Sequence, residues 1–71
     1  MAWDPKFIGG HLEINNAAGS QVTAYSKTDY EKKSFCNCNE NVVEAWWQGP
    51  LVYVRTEKGR TFRYVDSDNC I

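Results

Sequence analysis

Apolar residues recur at every second position through several stretches of this chain, the period of a β-strand with one buried face. Residues 51–65, LVYVRTEKGRTFRYV, show it best. β-Branched and aromatic residues flank a single glycine there, which predicts a β-hairpin. Lys58-Gly59 is not the Asn-Gly pair that a two-residue type I′ turn prefers. A type I turn over Glu57 and Lys58, followed by left-handed Gly59 in a G1 bulge, suits these residues better. That turn pairs Thr56 with Arg60, Val54 with Phe62 and Val52 with Tyr64. Val52, Val54, Phe62 and Tyr64 then form a core face. Leu51, Tyr53, Arg55, Thr61, Arg63 and Val65 form the other, with Tyr53 opposite Arg63 and Arg55 opposite Thr61. A slip of one residue would exchange the two faces.

The segment 42–47, VVEAWW, reads as a strand turned back onto residues 51–57 by Gln48-Gly49-Pro50. A helix is the rival, because Asn41 could cap it, Glu44 stands at the capping-box position and Gly49-Pro50 would stop it. His11–Ile14 and Gln21–Tyr25 alternate on either side of a turn-rich stretch, 15–20, and predict a second hairpin. Thr28-Asp29-Tyr30-Glu31 has capping-box form, which predicts a short helix over 29–35. Residues 1–10 read as an extended N-terminal arm jointed at Gly9-Gly10, and residues 11–71 as one small domain. The expected fold is mostly β, a single small antiparallel sheet built from two hairpins with at most one short helix, which leaves room for a small α+β arrangement.

Composition narrows the class. The chain has 71 residues, 42% hydrophobic and 24% charged, which is ordinary for a globular domain and argues against wholesale disorder. A domain of this size buries only about 60% of its unfolded surface, so a partner subunit, a metal or a disulfide would be a useful staple. No apolar run is long enough to span a membrane, and Met1-Ala2-Trp3-Asp4-Pro5 lacks the features of a signal peptide. An odd cysteine count, three, fits a reducing, cytoplasmic setting better than a closed disulfide framework. There is one histidine and no Gly-x-Ser-x-Gly, Walker or His-Glu-x-x-His motif, so a non-catalytic role is expected.

Net charge is −1, but the charges are segregated. Residues 51–65 hold Arg55, Lys58, Arg60 and Arg63 against Glu57 alone, whereas residues 36–50 hold only Glu40 and Glu44. A local basic patch on a near-neutral chain suits a small anionic ligand more than a wrap along duplex DNA. Guanidinium groups fork onto phosphate oxygens and tyrosine offers a stacking surface for a base. Tyr53, Arg55, Arg60 and Arg63 are therefore the candidate ligand-binding residues, for a nucleotide or single-stranded RNA. A Tyr53–Arg63 cation–π pair on a solvated face is the plain alternative. Gly59-Arg60-Thr61-Phe62-Arg63-Tyr64-Val65-Asp66 resembles the glycine then aromatic-x-aromatic strand of the KTSC domain, a short module also found at the end of some lysyl-tRNA synthetases. The resemblance implies a helical segment after this strand and an RNA-binding role. Phe62 departs from the family pattern, which has tyrosine there.

Trp46 and Trp47 face opposite sides if they lie on a strand, so at least one is a candidate interface residue. Together with the small core, they predict a homo-oligomer, or docking of an exposed tryptophan and a sheet edge onto a larger protein as an interaction or inhibitor module. Cys36, Cys38, Cys70 and His11 could supply a tetrahedral zinc site. Cys-x-Cys is not the usual knuckle spacing, however, and in an extended chain it points the two thiols apart. A disulfide from Cys36 or Cys38 to Cys70, or three free thiols, are the other assignments. Asp66, Asp68 and Asn69 lack the pattern of a calcium loop and read as a solvated tail.

Overall fold

A computed structural model of the protein describes residues 2–16, 21–36 and 40–66, apart from the side chain of Cys36. Six strands follow in chain order: β1 (Leu12–Asn15), β2 (Gln21–Tyr25), β3 (Lys32–Cys36), β4 (Val42–Gln48), β5 (Leu51–Thr56) and β6 (Thr61–Tyr64). They form two antiparallel three-stranded sheets, β1-β2-β3 and β4-β5-β6. The fold is thus mostly β, with two sheets where one was expected and a sixth strand in place of the short helix.

The β5–β6 hairpin has the register that its turn chemistry requires. Val52 pairs with Tyr64, Tyr53 with Arg63, Val54 with Phe62 and Arg55 with Thr61. Gly59 has φ +81° and donates its N–H to the Thr56 carbonyl at 3.0 Å, while the Thr56 N–H donates to Arg60 at 2.9 Å. Segment 42–48 is a strand, joined to β5 through Gly49-Pro50 and paired Trp46 to Tyr53 and Trp47 to Val52. The register shifts between Val42 and Glu44, leaving Val43 at a bulge with half of its surface exposed.

Residues 29–35 do not form the expected helix. The Ser26 hydroxyl accepts the N–H groups of Thr28 and Asp29, and the Asp29 carboxylate accepts that of Glu31. These local bonds turn the chain where a helix would have needed the same donors. β3 then leaves the turn and pairs with β2, Phe35 opposite Val22, which buries the Phe35 ring.

The N-terminal segment is not an extended arm. The N–H groups of Phe7 and Gly10 donate to the carbonyls of Asp4 and Phe7, so the chain folds in turns. Trp3 and Phe7 are buried. The small residues of the sheet interior, Val22, Ala24, Val52 and Val54, leave space between the sheets that these two rings fill. Trp3 packs against Phe7, Phe35 and Trp47 with centroids 5.3–6.0 Å apart, and Phe35 meets Tyr64 at 4.6 Å.

Side-chain groups join the sheets where no backbone ladder does. The Asn16 amide donates to the Val42 carbonyl at 3.0 Å and its oxygen accepts the Val42 N–H at 2.9 Å. It stands in for a peptide group and holds the end of β1 against β4. Trp47 Nε1 donates to the Gly10 carbonyl and Trp3 Nε1 to that of Tyr64, both at 3.0 Å. Among the described residues, no helix is long and apolar enough to cross a membrane.

Candidate functional site

The pleat of β4-β5-β6 sends Val52, Val54, Thr56 and Tyr64 inward and leaves the other face to solvent. Two cross-strand rows lie on that outer face. One is Trp46, Tyr53 and Arg63, and the other is Glu44, Arg55 and Thr61. The Trp46 and Tyr53 rings are 5.7 Å apart at an interplanar angle of 37°, each half-buried, and form a shallow aromatic platform. Arg63 is exposed at the β6 end of the first row and has no carboxylate partner among the described residues.

The other two candidate arginines are engaged within the protein. Arg55 donates through both Nε and Nη2 to Oε1 of Glu44, at 3.0 and 2.8 Å. Arg60 pairs at 2.9 Å with Oε2 of Glu40. Glu40 is buried, and its Oε1 accepts the Thr56 hydroxyl at 2.7 Å. A buried carboxylate needs such partners, and Arg60 supplies one from the hairpin position opposite Thr56. Two of the four cations in residues 51–65 are therefore matched by the two glutamates of residues 36–50. Of the candidate ligand residues, Tyr53 and Arg63 come together, beside an Arg55 already held by carboxylate.

The two tryptophans separate as a strand requires. Trp46 belongs to the outer platform. Trp47 is partly buried, packs against the core and donates to the Gly10 carbonyl.

Of the four zinc candidates, His11 and the backbone of Cys36 lie among the described residues, and they stand apart. His11 is exposed and lies 5.4 Å from the Tyr25 ring. Its carbonyl accepts the Tyr25 N–H at one end of β2, whereas Cys36 pairs with Gln21 at the other end. Four strand residues, roughly 13 Å, separate those ends, more than one tetrahedral shell allows. Cys38, Cys70 and the Cys36 side chain lie outside the described residues, as do Asp68 and Asn69.

Two polar clusters away from the platform escaped the sequence reading. Lys6 Nζ donates to Asp29 at 3.2 Å and to Glu31. Its hydrogen bond to Glu31, followed by that to Asp29, raises the Lys6 pKa above the ordinary lysine value. The Glu31 N–H, then Ser26 and Lys6, hold the Asp29 carboxyl below the usual range. On the outer face of β1-β2-β3, the Tyr25 hydroxyl donates to Glu13 at 2.9 Å, and this bond raises its pKa.

No protein-family model matches the chain, and no curated protein and no solved structure matches it, so the resemblance of residues 59–66 to the KTSC strand rests on that short pattern alone.

Proposed function

We propose that the protein is a non-catalytic binding domain whose outer β4-β5-β6 face holds a phosphate-bearing ligand of nucleotide size. The row Trp46–Tyr53–Arg63 carries this reading, because it sets two adjacent rings beside a guanidinium that has no carboxylate partner among the described residues. A base stacks on the rings and a phosphate meets Arg63. Adjacent strands lie roughly 4.8 Å apart, so the row offers a platform about 10 Å long, the span of one nucleotide. With Arg55 and Arg60 engaged by Glu44 and Glu40, the face suits one phosphate contact better than a tracked backbone. The same half-buried Trp and Tyr with the exposed Arg also suit a protein hot spot, and the half-buried Leu51 beside them extends the apolar area.

Titration of the whole chain with the four ribonucleoside monophosphates, followed by amide shifts and tryptophan fluorescence, tests the proposal. Shifts should centre on residues 44–65, and Arg63→Ala or Trp46→Ala should remove them, whereas Arg55→Ala should leave most of the affinity. Absence of any response to nucleotides would remove this reading and turn the search to capture of a protein partner. Sedimentation of the free chain tests the proposed self-association: a dimer or larger closed species is expected, and a monomer at all concentrations excludes it.

A further inference from the structure

The chemistry beside the aromatic platform points to a particular base. Arg55 places both of its hydrogen bonds on Oε1 of Glu44, and Oε2 accepts nothing among the described residues. Glu44 lies two residues before Trp46 on the same face of β4, roughly 7 Å away along the strand. The carboxylate is about half exposed, so a ligand can reach it. Arg55 holds it in place, which makes it a fixed acceptor at the rim of the platform.

A base lying on Trp46 and Tyr53 would turn one edge to this oxygen and its sugar-phosphate toward Arg63. Guanine alone among the four common bases presents two adjacent N–H donors, N1–H and the 2-amino group, on its Watson–Crick edge. Adenine and cytosine put an acceptor nitrogen beside their amino groups, and uracil has a single donor between two carbonyls. An acceptor-only carboxylate attracts paired donors and repels ring nitrogens and carbonyls.

We propose that the β4-β5-β6 face selects a guanine nucleotide, with Glu44 reading the base edge, Trp46 and Tyr53 stacking the ring and Arg63 holding the phosphate. This rests on the binding function proposed above. The free nucleotide is the assigned ligand, because the platform leaves one guanidinium for one phosphate.

Calorimetric titration of the intact chain with GMP, IMP, AMP and the tetranucleotide UUGU tests it. GMP should bind about fivefold or more tighter than AMP, with IMP, which keeps N1–H and lacks the 2-amino group, between them. Glu44→Ala should erase the difference between GMP and AMP without weakening AMP, because Arg55 is released to the face. UUGU should bind within a few-fold of GMP. Equal affinity for all nucleotides, or a GMP preference that survives Glu44→Ala, overturns the guanine assignment and leaves the binding face standing. UUGU binding more than tenfold tighter than GMP makes an RNA strand the ligand and overturns the free-nucleotide assignment. Binding of none of them removes the underlying binding function as well. Retained chemical-shift dispersion in Glu44→Ala shows that a loss of preference is not a loss of fold.

Discussion

A methyl group on Gly10 would lie 2.5 Å from the Tyr25 carbonyl oxygen and 3.1 Å from that of Phe7, both backbone atoms that cannot swing aside. Gly10→Ala should therefore destabilise by about 1–3 kcal/mol, as overpacking does, measured by urea unfolding. Gly59→Ala meets no atom within 4 Å but must hold a left-handed φ, and should cost about 1–2 kcal/mol. Glu40 poses a different demand. Glu40→Ala leaves the buried Thr56 hydroxyl without its acceptor and should cost about 1–3 kcal/mol, whereas Arg60 can turn to water. The exposed Lys6–Asp29–Glu31 cluster responds to pH. The lowered Asp29 pKa gives a contribution that is present above the ordinary carboxylate range and lost as pH falls through the folded value. The raised Lys6 pKa gives one that is complete below the ordinary lysine range and lost as pH rises through the folded value. The tether between turn 26–31 and the N-terminal segment should hold between the ordinary carboxylate and lysine ranges and loosen beyond both. Amide exchange at Lys27, whose N–H donates to the Lys6 carbonyl, checks this.

At the scale of elements, alternation along β4 divides adjacent tryptophans between two tasks. Trp47→Ala removes a ring packed against the core and the bond to Gly10, and should cost about 3 kcal/mol. Trp46→Ala should cost markedly less and instead abolish ligand-induced fluorescence change. Asn16 joins β1 to β4 by imitating a peptide group, so Asn16→Ala leaves the N–H and C=O of Val42 unpaired. It should destabilise by about 1–3 kcal/mol and speed exchange of the Val42 amide. The register of β5–β6 was legible in residues 51–65, because the turn and both faces are local and agree with each other. The helix expected over 29–35 shows the reverse case. Thr28, Asp29 and Glu31 suit a helix start, but the neighbouring Ser26 hydroxyl takes the first donors into a turn, and pairing with β2 buries Phe35. A capping pattern reports which polar groups are available and leaves open the backbone that will use them.

At the scale of the whole molecule, Trp3 and Phe7 of the N-terminal segment belong to the core. Trp3 bridges Phe7, Phe35 and Trp47 and bonds to β6, so Trp3→Ala should cost about 3–5 kcal/mol, a large share of a small domain's stability. Removal of residues 1–8 should leave a chain without a cooperative thermal transition. An independently folded remainder would show that the segment is an appendage after all. By itself the sequence determined the mostly β class, the β5–β6 register and turn, the opposite facing of Trp46 and Trp47 if on a strand, and the Tyr53–Arg63 pair. Each depends on residues close along the chain, where strand period and turn geometry act directly. Only the tertiary structure decided that the strands divide into two sheets, that Trp3 and Phe7 fill the space between them, and that Glu44 and Glu40 hold Arg55 and Arg60. Those outcomes depend on which distant groups meet. A charge counted in sequence is available to a ligand only when no carboxylate has been folded against it, and Arg63 is the arginine of the face that meets this condition among the described residues.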